Sequence, residues 1–371
     1  MTALRYLGFA FATVLLFAPT APAAPKPAAL NHLPVIPGGG ARPGHGTTCV
    51  GADCLIPSCA SLTTGDAPAA AIIPIPPVPG GTKRGTAVVC EGAACANPVI
   101  YSIKPKDIDP TIKAFNAPNI VEYYPLKAGP KAQLAIYFPG TNGRPDEVPG
   151  ILDVIAQQGY RVIGLEYDDN PAVTDVCPQQ TYDTQCAAQF RWERLVGSLL
   201  ISPQPTPLNE TILVRLVTLL NHLNRTYPGD GWGQYLLRGQ PNWSRIVVSG
   251  LSQGAGMAAF IAKKYSVARV VLFSSPWDYV DAHDGMAEET SPWVGETSAT
   301  PVSLWHAEYH RCEKNASRIQ RAYALAAIPQ SHIMVFDLSD AAGTGGDKFH
   351  TSTTRDPRYT KRWRELYGVS P

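Results

Sequence analysis

Arg245-Ile246-Val247-Val248-Ser249-Gly250-Leu251-Ser252-Gln253-Gly254-Ala255-Gly256-Met257-Ala258-Ala259-Phe260-Ile261-Ala262-Lys263-Lys264 is the stretch that decides how this 371-residue chain is built. Arg245–Val248 reads as a strand, and the apolar run that follows predicts a helix over Gln253–Lys264. Between them stands Gly250-Leu251-Ser252-Gln253-Gly254, a Gly-x-Ser-x-Gly. With Gly and Ser each near 7% of residues, about one chain of this length in ten carries that pentapeptide by accident, so its flanks decide. A strand before it and a helix after it are the setting in which a serine sits on a sharp, strained turn. Side chains at the two flanking glycines would collide there with neighbouring backbone. Ser252 is therefore the candidate nucleophile.

Working outward, the pattern repeats. Val99-Ile100-Tyr101 and Val121–Tyr124 read as short edge strands, and Leu134–Phe138 and Tyr160–Leu165 as buried ones. Helical spacing covers Asp146–Gln158, Gln185–Leu200 and Thr211–Tyr227. After the central stretch come strand Ala268–Phe273, strand Val302–His306, helix Ala316–Ala327, strand His332–Leu338 and a last helix near Arg358–Tyr367. Strands alternating with helices predict an α/β fold, a mostly parallel twisted sheet covered on both faces. In such a sheet a site belongs beyond the carboxyl ends of the strands.

The front of the chain reads differently. One basic residue (Arg5), an apolar run to about Ala18 and an Ala21-Pro22-Ala23 site predict a signal peptide over 1–23. The protein is then secreted or periplasmic. Residues 24–96 contain no Phe, Tyr or Trp and are rich in Pro, Ala, Gly and Thr. Without aromatic side chains such a segment builds little core, so it reads as a Pro-rich arm or linker ahead of a globular domain over 97–371.

Five of the 8 cysteines lie in that arm, which repeats a Cys-x-Gly-Ala-x-Cys at Cys49–Cys54 and Cys90–Cys95. In an exported chain this points to disulfides. The shortest pairing joins Cys49–Cys54, Cys90–Cys95 and Cys177–Cys186 and leaves Cys59 for Cys312. Zinc is the alternative, with His45 near Cys49, but the second repeat has no matching His.

Lys plus Arg is 31, Asp plus Glu is 30 and the formal charge is +1, which removes the electrostatic argument for nucleic acid or an anionic membrane. After the signal, no stretch approaches the roughly 20 apolar residues of a membrane span. No phosphate-binding glycine loop or zincin helix is present, and no cofactor or metal is expected. Asp168-Asp169-Asn170 reads as a solvated turn rather than a calcium loop. Trp232, Trp243 and Trp293 either line a pocket or cover the core. Asn209, Asn224, Asn242 and Asn315 begin N-x-S/T sequons, relevant only in a glycosylating secretory route.

Over residues 97–371 the chain resembles the α/β-hydrolases, and within them a secreted bacterial branch. The likeness rests on the Gly-x-Ser-x-Gly turn, on Phe138-Pro139-Gly140-Thr141 and on Ser274, Pro276 and Asp278, together with a late His beside a closing Trp helix. It implies a Ser–acid–His triad in that chain order. Of the histidines after Ser252 (His283, His306, His310, His332, His350), His350 stands in the loop Gly343–His350 after the last strand and is the expected base. His332 is expected inside a core strand. Glu313 best matches the acid position, where the family more often has Asp; Asp278 and Glu308 remain alternatives. An oxyanion hole is expected from the backbone of Gln253 and of Thr141. The implied activity is that of a serine esterase working on a small-molecule or polymeric ester, with the segment between Gly164 and Arg245 selecting it. The alternative is a non-catalytic binding or surface protein that keeps the scaffold.

Overall fold

A computed structural model describes residues 97–177, 183–197, 205–282 and 287–371. Residues 1–23 and 24–96 lie outside the described residues, as do the partners needed for the Cys49–Cys54, Cys90–Cys95 and Cys59–Cys312 pairings.

Eight strands form one sheet: β1 (Val99–Ile103), β2 (Asn119–Tyr123), β3 (Leu134–Phe138), β4 (Arg161–Gly164), β5 (Ile246–Leu251), β6 (Arg269–Phe273), β7 (Trp305–His310) and β8 (Ile333–Phe336). Their order is β1-β2-β4-β3-β5-β6-β7-β8. β2 pairs antiparallel with both neighbours, and every other pairing is parallel. The longer helices are α1 (Pro149–Gln157), α2 (Cys186–Val196), α3 (Ile212–Thr226), α4 (Gln253–Lys264), α5 (Ala316–Leu325), α6 (Lys348–Arg355) and α7 (Thr360–Tyr367).

The unbroken apolar runs explain why β3 and β5 are central. Every residue of both strands is buried, as a strand packed on two faces must be. The side-chain period of two divides them. Leu134, Ile136, Phe138 and Val248 join a core with α2, α3 and α4, whereas Ala135, Tyr137 and Val247 join a second core with α1 and α7. Small residues let α4 lie close to the sheet, and Gly254, Ala255, Gly256, Ala258 and Ala259 are all buried.

The structure departs from the sequence reading in several places. β5 runs on past Val248 to Leu251, because the Ser249 hydroxyl is satisfied inside the sheet by the Ile136 carbonyl at 2.8 Å. Val302–Leu304 is a 3-10 turn after Pro301, and the strand expected there is Trp305–His310. Glu308 therefore lies within a strand rather than in the loop after it. His332 ends a 3-10 turn just before β8 instead of lying inside the strand. Lys348–Arg355 is a helix where a loop was expected. Cys177 and Cys186 form a disulfide with Cα atoms 5.5 Å apart. Among the described residues, no helix is long and apolar enough to cross a membrane.

Candidate active site

The site grows from the end of β5. Ser252 has φ 55° and ψ −120°, a left-handed conformation that a non-glycine residue holds only at a cost of about 1–3 kcal/mol. It is pinned there because its N–H donates to the Phe273 carbonyl at 2.9 Å while its own carbonyl accepts from Gly256 N–H at 3.0 Å. The flanking glycines have a steric cause. A Cβ on Gly250 would lie 2.5 Å from the Phe138 carbonyl oxygen, and one on Gly254 would lie 2.1 Å from that same atom.

Beyond β7, the buried Glu313 carboxylate meets three donors. Its Oε1 accepts from the Ser274 hydroxyl at 3.0 Å and from the His310 N–H at 2.8 Å. Its Oε2 lies 2.5 Å from Nδ1 of His350. A carboxylate only accepts, so Nδ1 carries the proton and Nε2 is left as the acceptor. The helix α6 that carries His350 is capped by Asp347, which accepts from the His350 N–H at 3.2 Å. The other Asp347 oxygen accepts from the Lys314 N–H at 2.8 Å. One side chain thus ties the segment bearing Glu313 to the helix bearing His350.

Ser252 and His350 line one cavity of about 120 Å³, with Gly140, Thr141 and Leu251. Among the described residues no hydrogen bond joins the two, and such contacts commonly tighten only with substrate in place. The loop after β3 forms another wall. Its Gly143 N–H donates to the Gly140 carbonyl at 2.8 Å, and the Tyr167 hydroxyl donates to the Pro139 carbonyl at 2.9 Å. Gly140 abuts the nucleophile, since a Cβ there would lie 3.2 Å from Ser252 Cβ. Gln253 opens α4, so its N–H has no acceptor within the helix and sits at the positive end of the helix dipole.

The structure thus brings together Ser252, His350, Glu313, Thr141 and Gln253. It does not bring in the two alternative acids. Asp278 is buried and held bidentately by Arg191 at 2.7 and 2.6 Å, with the Trp293 indole N–H donating to it at 2.9 Å. Glu308 is fully buried inside β7, and neither oxygen has a hydrogen-bond partner among the described residues. Burial first, and the nearby Glu313 second, push its carboxyl well above the usual range.

Of the other histidines that follow Ser252, the three described ones, His306, His310 and His332, are occupied elsewhere. His310 accepts from the Cys312 N–H on Nδ1, so its Nε2–H donates to the Leu338 carbonyl, and burial lowers its pKa. His306 and His332 stack with ring centroids 4.6 Å apart, and burial lowers the His306 pKa to about 4. Trp232, Trp243 and Trp293 are buried in the core. Asp168 accepts from Arg194 at 3.1 Å and from Thr206 at 3.2 Å, so it is an internal partner rather than part of a solvated turn. Among the described residues no group of three or more His, Cys, Asp or Glu is placed to hold a metal ion. Sequence reasoning gave no role to Ser274 or Asp347. Ser274 already stood in the motif that carried the resemblance, and Asp347 stands three residues before His350, the spacing of a helix cap.

The strand order and the serine turn between β5 and α4 define an α/β-hydrolase fold. No family model matches the sequence, and no curated protein matches it. Solved structures similar to it include a bacterial heroin esterase, 12% identical over 74% of this chain and 84% of that one, with TM-score 0.38. An esterase from Pyrococcus furiosus is 11% identical over 73% of this chain and 88% of its own, with TM-score 0.38. A hormone-sensitive lipase from a metagenome library is 15% identical over 72% and 82%, with TM-score 0.34. These likenesses are too distant to bear on activity.

Proposed function

We propose that the chain is an exported serine hydrolase that cleaves carboxylic esters through an acyl-enzyme, with a signal peptide over 1–23, an arm over 24–96 and the hydrolase domain over 97–371. The observation that carries this reading is the 2.5 Å contact between Glu313 and His350 Nδ1, made beside a cavity that the strained Ser252 also lines. The Cys177–Cys186 disulfide supports export, since such bonds persist in oxidising compartments.

In this reading, Ser252 Oγ attacks the ester carbonyl while its proton passes to His350 Nε2. Glu313 holds the ring in the required tautomer and stabilises the imidazolium. The tetrahedral oxyanion accepts from the backbone N–H groups of Gln253 and Thr141, the first reinforced by the helix dipole. On collapse the C–O bond to the alcohol breaks, and the alcohol leaves with the proton from Nε2. Water then attacks the acyl-enzyme, gives its proton to Nε2 and releases the acid, and Ser252 regains its proton.

A fluorophosphonate probe and a p-nitrophenyl ester test this. The wild type is expected to be labelled at Ser252 and to hydrolyse the ester, and Ser252→Ala to lose both. A wild type that takes no label and releases no p-nitrophenol would instead be a scaffold kept for binding.

A further inference from the structure

A second cleft, of about 420 Å³, adjoins the reaction cavity and shares Gly143 and Arg144 with it. Two buried carboxyls line it, Glu166 and Asp169, from the segment after β4. Glu166 accepts from the Ala117 N–H at 3.0 Å on Oε1, and its Oε2 has no hydrogen bond among the described residues. Asn116 and Asn142 supply amides, and the Asn116 carbonyl already accepts from Lys106 N–H at 2.8 Å, leaving its NH2 to donate. Phe115 supplies an aromatic wall. It holds φ 49°, a true outlier for a bulky residue, and is kept there by Arg215, which donates to its carbonyl at 2.8 Å.

Charge decides which kind of ligand fits. Lys104 and Arg144 also line the cleft; Arg144 is already held by Asp146 at 3.0 and 2.6 Å, so Lys104 is the lining cation that offsets the carboxyls. Burial is the main cause that raises Glu166 to about 7, and burial together with the Glu166 charge raises Asp169 to about 8. Near neutral pH the pair offers a mixture of O–H donors and acceptors rather than two full negative charges. A cation would find little field, and an alkyl chain would strip water from several polar groups without replacing their bonds. A neutral group with many hydroxyls and one apolar C–H face satisfies both kinds of wall.

We propose that this cleft is the subsite for a glycosyl group, the alcohol part of the ester, with its hydroxyls met by Glu166, Asp169, Asn116 and Asn142 and its C–H face against Phe115. The substrate is then an acylated carbohydrate. The assignment of this sugar as the leaving alcohol rests on the hydrolase reading above; the binding of the sugar does not.

Two measurements on the full chain separate these. In the first, methyl β-glucoside is the probe, and saturation transfer from protein to its ring protons is read by NMR. Transfer is expected for the wild type, with loss in Phe115→Gly, which removes the ring while relaxing the positive φ, and weakening of about tenfold in apparent affinity in Asp169→Asn. Equal transfer in wild type and Phe115→Gly, or none in the wild type, overturns the subsite. In the second, kcat/KM is compared among acetate esters of methyl glucoside, choline and ethanol. The account expects the glucoside ester to lead by about tenfold or more, and a lead for the choline or ethyl ester overturns it. Saturation transfer without turnover of any acetate ester would leave the sugar site standing and sink the hydrolase reading.

Discussion

Glu308 and Glu313 stand on one strand and the turn after it, and both are buried, yet their surroundings differ in kind. Among the described residues neither Glu308 carboxyl oxygen has a hydrogen-bond partner by distance and angle, and burial, then the Glu313 charge, push its pKa well above the usual range. Glu313 receives three donors, one of them the imidazole. Burial alone therefore does not suit a carboxyl to support a base. A ring of donors does, because each offsets the loss of water around the charge. Asp278 is a third variant: its donors come from Arg191 and Trp293, so its charge is used to hold α2 against the segment after β6.

That contrast can be broken most severely at Arg191. Its replacement by Met leaves Asp278 buried without its ion partner and is expected to cost about 3–5 kcal/mol, read as a lower urea midpoint with the slope unchanged. Ser274→Ala removes one donor from Glu313 and is expected to lower kcat by about tenfold, near 1–2 kcal/mol, with KM unaltered. A purely structural role would lower stability and leave kcat per folded molecule intact. Asp347→Ala removes the cap of α6 and the tie to Lys314, with an expected loss of about 1 kcal/mol and a melting point lower by a few degrees.

A pH titration sharpens the contrast further. Burial, and then the Glu166 charge, push the Asp169 carboxyl up to about 8 in the folded chain, against about 3.9 for a free aspartate, so between those values the folded state keeps a proton the unfolded chain has lost. Its contribution to stability is thus full in acid and is lost as pH rises toward 8. Asp169→Asn should flatten the fall in melting point between about pH 4 and pH 8; an unchanged slope would remove Asp169 as its source.

Local chemistry explains which parts were legible in the sequence. Leu134–Phe138 and Gln253–Lys264 matched their expected bounds because an apolar run and a glycine-flanked serine are signals carried by adjacent residues. β7 was read as ending at His306 because Glu308 and His310 look like loop residues, and only the fold reveals a fully buried carboxyl inside the strand and an imidazole hydrogen-bonded to the Leu338 carbonyl. α6 was read as loop because Thr351, Ser352, Thr353 and Thr354 are poor helix formers. It stands on its Asp347 cap and on packing, with the Trp363 indole donating to the Thr353 carbonyl at 2.7 Å. The partnership of Ser274 with Glu313 spans 39 positions, and no local pattern announces it.

The most direct measurement is kcat for Glu313→Gln beside Glu308→Gln, on the same p-nitrophenyl ester. Removing the charge that orients the imidazole is expected to lower kcat by roughly 10⁴-fold, whereas Glu308→Gln alters a buried carboxyl that makes no hydrogen bond to His350 and should stay within a few-fold of wild type. A Glu313→Gln enzyme with near-normal turnover, or a collapse confined to Glu308→Gln, would contradict the account.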